Sequence, residues 1–158
     1  MIHLKDTEAV LAAPLIAVVG ASDEASNFGR AVYRALRESG RDVVAVHPKA
    51  TIVDGDPCYP DVASVPERPD AVVVMVGKAA AAGVVQECID LGIDMVWLFK
   101  GAGGPGAVSD EALALCEQHG IQVVAGACPL MFVEPVGWFH KIHRAGRRAF
   151  GSVERRAS

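Results

Sequence analysis

The sequence predicts a three-layer α/β domain around a five-stranded parallel sheet, and three observations carry that prediction. Five short, almost uninterrupted apolar runs occur in order along the chain. Segments whose apolar residues recur at helical spacing lie between them, and three of these segments stop at a glycine, Gly40, Gly92 or Gly120. Strands buried on both faces read as continuous apolar runs, and repeated strand–helix–strand units require crossovers that make neighbouring strands parallel.

The elements follow in simple alternation. Leu15–Gly20 (LIAVVG) is the first strand. Asn27–Ser39 is a helix with Ala31, Val32, Ala35 and Leu36 on one stripe. Asp42–Val46 is the second strand, broken by His47-Pro48. Asp54 to Pro69, with prolines at 57, 60, 66 and 69, reads as a turn-rich connection. Ala71–Val76 is the third strand, Ala79–Leu91 a helix and Asp94–Phe99 the fourth strand. Ser109–His119 is a helix with Ser109 as its N-cap and Asp110 and Glu111 complementing its dipole. Ile121–Ala125 is the fifth strand, and Val136–Arg148 forms a last helix. Residues 1–151 are expected to make one domain, with 136–148 a helical extension and 152–158 a polar tail. The pattern is that of a Rossmann-like domain, in which ligands bind beyond the carboxyl ends of the strands where the strand order reverses.

Charge and cysteine usage narrow the function. A formal net charge of -4 offers no basic excess for nucleic acid. No apolar run reaches the roughly 20 residues of a membrane span, and Met1–Glu8 lacks the basic start and apolar centre of a signal peptide. A cytoplasmic protein is expected. Cys58, Cys88, Cys116 and Cys128 contain no CxxC pair and read as thiols, with Cys88 and Cys116 on apolar helix stripes.

Two loops point to a phosphorylated ligand. After the first strand come Gly20, Ala21 and Ser22, and then Ser26, Asn27, Phe28, Gly29 and Arg30 lead into a helix. Backbone N–H groups at a helix start suit a phosphate, although the GxGxxG spacing is not met. After the second strand, His47, Pro48 and Lys49 stand where an NAD site places an acidic residue on the ribose hydroxyls. A lysine there favours a phosphorylated ribose, as in coenzyme A or NADP, over NAD.

The runs IAVVGAS, VHPKA, IVDGDPCYPDVASVP, MVWLFKGAGG and GACPLM, in this order, resemble the CoA-binding domain family of small stand-alone bacterial proteins. That family is similar to the CoA-binding domain of the succinyl-CoA synthetase α subunit. The likeness runs from about Pro14 to Met131. It implies that coenzyme A phosphates lie on Gly20, Ala21 and Ser22, and that Lys49 meets the adenosine phosphate end. It also implies that Val76 and Gly77 line the adenine side and that Trp97, Leu98, Phe99 and Lys100 lie along the ligand. The Lys100–Gly106 loop is richer in glycine than the family pattern, and GWFHKIHRAGRR is an extension beyond it.

Catalytic machinery is not expected. The related acyl-CoA ligases use a phosphorylated histidine in a second domain and a nucleotide-grasping subunit, and this chain is too short for either. His140, His143 and Cys128 lack metal spacing. Cys128, after the fifth strand, stands on the ligand side, where the pantetheine thiol would come. The reading is a module that binds coenzyme A or acyl-CoA, as a sensor or carrier. An NADP-linked oxidoreductase-like protein and a regulatory interaction module are the alternatives. Met131, Phe132, Trp138 and Phe139 suit a homodimer interface.

Overall fold

The computed structural model describes residues 3–100 and 106–133. Along the chain run α1 (Leu4–Leu11), β1 (Ile16–Val19), α2 (Phe28–Glu38), β2 (Val43–Val46), β3 (Ile52–Val53) and β4 (Asp56–Tyr59). They are followed by β5 (Ala71–Val74), α3 (Lys78–Asp90), β6 (Met95–Phe99), α4 (Asp110–Gln118), β7 (Gln122–Ala127) and a 3-10 turn at Pro129–Met131. The five expected strands are β2, β1, β5, β6 and β7, which pair in parallel in that order. The sheet, however, has seven strands, because the segment expected to be only turns contributes β4, parallel to β2, and Ile52–Val53, unassigned just before it, forms β3, antiparallel to β4. The Val136–Arg148 helix and the polar tail lie outside the described residues, as do His140, His143, Trp138 and Phe139.

Period-two alternation sends neighbouring strand residues to opposite cores. Ile16, Val18, Val43, Ala45, Val73 and Trp97 pack with Val10 and Leu11 of α1 and Val32, Tyr33 and Leu36 of α2. Ala17, Val19, Val72, Val74, Val96 and Leu98 pack with α3 and α4, whose Cys88 and Cys116 are fully buried as their stripes predict. Trp97 has no exposed surface and donates its indole N–H to the Ala127 carbonyl at 3.0 Å, so the largest buried side chain leaves no unpaired polar group. Ser109 caps α4 by accepting from Ala112 N–H at 3.1 Å, as expected. No described helix is long and apolar enough to cross a membrane.

The β3–β4 hairpin closes through Asp54-Gly55, both at positive φ (52° and 84°), which fits a two-residue primed turn. Arginines of α2 hold it. Arg34 grips both Asp54 carboxylate oxygens, at 2.7 and 3.2 Å. Arg37 pairs with Asp54 and donates to Asp56 Oδ2 at 2.8 Å, and Tyr33 donates to the same oxygen at 2.6 Å. Pairing of β4 with β2 covers only Ala45–Cys58 and Val46–Tyr59. His47 N–H donates to the Tyr59 carbonyl and Cys58 N–H to that of Thr51, so odd-numbered residues of β4 face β2. Pro57 falls on that side and has no N–H to give, which stops the ladder. A hollow of about 460 Å³ opens there, lined by Tyr33, Arg37, Val43, Val44, Asp56 and Pro57.

Hydrogen bonding by Arg34, reinforced by the charge of Arg37, holds the Asp54 carboxyl down at about 2, against an ordinary 3.8. A carboxylate depressed in the folded state stabilises it fully above the unfolded value, and that stabilisation is lost as pH falls through the folded one. Stability is therefore expected to drop between pH near 4 and pH near 2. Denaturant titrations across this range should show a shallower drop for Asp54→Asn than for the native chain. An identical pH profile for the two proteins would refute the assignment.

Candidate functional site

The strand order reverses at β1, which lies between β2 and β5. Ligand crevices of open parallel sheets form at such a point, here between the loop after β1 (residues 20–27) and the loop after β5 (residues 75–77). Close backbone packing shapes it. Gly20 has φ of 108°, and a Cβ on it would stand 2.8 Å from the Met75 carbonyl oxygen. A Cβ on Gly29 would stand 2.8 Å from the Gly20 carbonyl oxygen and 3.0 Å from Ala21 N. Glycine at both positions lets the first turn of α2 settle directly on the loop.

Asn27 fastens that loop. Its Oδ1 accepts from Arg30 N at 2.7 Å, capping α2, and from Ser22 N at 3.2 Å, while its Nδ2 donates to the Gly20 carbonyl at 3.0 Å. The side chain that sequence reading offers to a ligand is thus engaged in shaping the loop. Ala21 is fully buried and Ser22 nearly so, whereas Asp23 to Ser26 and Phe28 are exposed. The accessible surface of the loop is therefore its later part, together with the N-terminus of α2. Asp23 is an acidic group in a loop expected to meet phosphate, but it is turned to the hairpin. Its Oδ1 accepts from Asp54 N at 2.7 Å and lies 3.6 Å from Arg30 Nε. Arg30 is half-buried, 3.6 Å from Asp54 as well, and its buried Nε makes no hydrogen bond.

A second helix start opens on the same crevice. Gly77 is the N-cap of α3 and supplies no side-chain cap; Gly77 and Lys78 are exposed, and Val76 is half-buried. Lys78 occupies the first helical position, where a cation opposes the helix dipole. Sequence reading starts this helix one residue later and passes over Lys78. The signal available was the lysine itself, placed where helices favour acidic residues.

Next to the crevice, beyond β2, Pro48 and Lys49 are exposed. His47 Nδ1 accepts from Lys49 N at 3.1 Å and Ala50 N at 3.2 Å, which makes the ring the brace of this turn. On β6, Trp97 and Leu98 have no exposed surface, because central-strand side chains go to the two cores. Only Phe99, half-buried, and Lys100, exposed, reach the strand end. Between β6 and β7 the register shifts, so that Leu98 pairs with Ala125 and Phe99 with Ala127. This bulge at Gly126 redirects the chain into Cys128, which is half-buried. Burial raises the other three thiols, Cys88 to about 12 and Cys116 to about 11, with Cys58 also pushed up. Cys58, unassigned in the sequence, lies on β4 with its side chain in the core. The site also holds a residue that sequence reading treats only as the start of a helix. Phe28 is 45% exposed, and its ring lies 5.3 Å from that of Phe99.

The architecture recurs in known proteins. A small protein of Pyrococcus horikoshii OT3, described as hypothetical, superposes with a TM-score of 0.73 and 29% identity, over 80% of this chain and 87% of its own. The dinucleotide-forming acetyl-coenzyme A synthetase 1 of Ca. Korarchaeum cryptofilum superposes in its apo form with a TM-score of 0.60 and 30% identity, over 70% of this chain and 25% of its own. In sequence, the chain is 31% identical over 119 residues to acetate–CoA ligase [ADP-forming] I of Archaeoglobus fulgidus. The match covers 72% of this chain but 17% of that relative, so this chain spans only a small part of the ligase. The family model described as a CoA binding domain matches residues 15–134, and the chain belongs to that CoA-binding domain family.

Proposed function

We propose that the protein binds coenzyme A or an acyl-CoA across the carboxyl ends of its strands and acts as a sensor or carrier module without complete catalytic machinery of its own. The observation that carries this reading is the switch point at β1, where α2 and α3 both begin just beyond the carboxyl ends of the strands. Two helix dipoles converging on one cleft favour a diphosphate. Lys78 adds a charge that α3 itself disfavours, and Lys49 stands ready on the β2 side for a ribose phosphate. The acidic residue that would bond the ribose hydroxyls of NAD is absent from His47-Pro48-Lys49.

The proposed ligand runs from Lys49, over the loop after β1, along Val76 and Gly77, to Phe99, Lys100 and Cys128. Gly20, Ala21, Asn27 and Gly29 contribute by shaping the loop, and Ser22, Arg30, His47 and Pro48 flank it. The relatives named for acetate–CoA ligase and acetyl-coenzyme A synthetase activity are several times longer than the match. The portion they share with this chain supports binding of the coenzyme.

Calorimetry on the purified chain is expected to show coenzyme A binding more tightly than NAD, NADH or NADP. Lys49→Ala should weaken coenzyme A binding by about 1–2 kcal/mol, roughly five- to thirtyfold, and weaken dephospho-CoA much less. Equal losses for the two ligands would mean that Lys49 does not read the ribose phosphate, and tighter NADP binding would favour the oxidoreductase-like alternative.

Thiol chemistry tests the other end of the ligand. Cys128 is the most accessible of the four cysteines, the rest being buried. A limiting alkylating reagent at neutral pH should therefore modify Cys128 first, and saturating coenzyme A should slow that reaction. Peptide mass mapping that shows alkylation at Cys128 unchanged by coenzyme A would place the pantetheine arm elsewhere.

A further inference from the structure

Beyond the phosphate loop the rim of the site changes character. Phe28 is the first residue of α2, immediately after the Asn27 cap, yet 45% of it is exposed, and its ring leans on Phe99 at the end of β6 with the planes 42° apart. On the neighbouring strand, β7 runs into the 3-10 turn that packs against α2 and carries Leu130, 37% exposed, and Met131, 78% exposed. Apolar side chains at this density on a ligand-facing rim need an apolar partner. They cluster on one side only. In the order β2-β1-β5-β6-β7, Lys49 and the loop after β1 stand at the ends of β2 and β1 and Lys78 follows β5, while the apolar groups stand at the ends of β6 and β7, where Lys100 is the one exposed cation among the described residues. At about 4.8 Å per strand, β2 and β6 lie about 14 Å apart across these ends.

An elongated ligand with phosphates at one end and an apolar group at the other matches this gradient. Free coenzyme A does not, because its pantetheine arm is polar with two amides and ends in a thiol. We infer that the physiological ligand is an acyl-CoA with an aliphatic acyl chain, and that Phe28, leaning on Phe99, is the platform on which that chain lies. The inference rests on the coenzyme A reading above and names the ligand class and the residue that selects it.

The test is calorimetry on the full chain with coenzyme A and its acetyl, butyryl and hexanoyl thioesters. In the native protein, affinity should rise about two- to fourfold per added methylene, as expected for partial to full burial of each CH₂. Phe28→Ala should cut that gain per methylene by at least half, judged as the ratio of acyl-CoA to coenzyme A affinity within the same variant. Phe28→Leu, which restores apolar surface without the ring, should recover most of it. The exposure of Phe28 leaves the core untouched by either change, and circular dichroism checks this. Coenzyme A binding with no dependence on chain length, or a dependence that survives in Phe28→Ala, overturns the platform while leaving the coenzyme A reading intact. Absence of binding by every member of the series overturns both.

Discussion

Gly29 lies so close to Gly20 that a single added carbon would stand 2.8 Å from the Gly20 carbonyl oxygen, well inside van der Waals contact. Gly20 in turn lies against the Met75 carbonyl. Three segments therefore meet backbone to backbone: the end of β1, the start of α2 and the end of β5. The three hydrogen bonds of Asn27 fix this junction, and the positions of the α2 N-terminus, of Phe28 and of the crevice follow from it. Were α2 to start even one side-chain layer farther out, its free N–H groups would no longer face the switch point. The dipole proposed to draw a phosphate to this end of the sheet would then be spread into solvent.

The hairpin is coupled to the same junction. Asp23, in the loop, accepts from the backbone of Asp54 at the hairpin tip, and Asp54 is held by Arg34 and Arg37 of α2. Arg30 bridges the two at longer range. The network neutralises an acidic group that would otherwise repel a phosphate, and it ties the loop, α2 and the sheet edge into one unit. Individually, exposed ion pairs of this kind contribute little; as a connected set they restrict where the loop can go.

Sequence reading captured the parts of the fold whose burial is two-sided. LIAVVG, DVVAV, AVVVMV, DMVWLF and IQVVA are strands because nothing but a sheet interior accepts such runs, and their ends agree with the structure to within two residues. It passed over β3 and β4, which are short and edge-like: Ile52 is exposed, Pro57 interrupts the ladder, and the telling signal was the Asp54-Gly55 dipeptide. It also passed over α1, whose eight residues bury only Thr7, Val10 and Leu11 and whose His3 N-cap makes no side-chain bond. At the site, position along the chain was legible and side-chain direction was not. Asn27 and His47 lie at the expected loops, but their polar atoms close turns. Trp97 and Leu98 lie on the expected strand, but both side chains enter the cores. Phe28 was hidden for the opposite reason, since an aromatic residue after a cap looks like the beginning of a helix stripe and here faces outward.

The central claim is that coenzyme A seats its phosphates on the loop between β1 and α2. The most direct measurement is a titration of the isotopically labelled chain with coenzyme A, followed by backbone amide resonances. The account predicts the largest shifts at Ser22 to Phe28 and at Gly77 and Lys78, with the Asp54–Asp56 hairpin responding less. Perturbations confined to the opposite end of the sheet, around Leu15 and Val43, would contradict it.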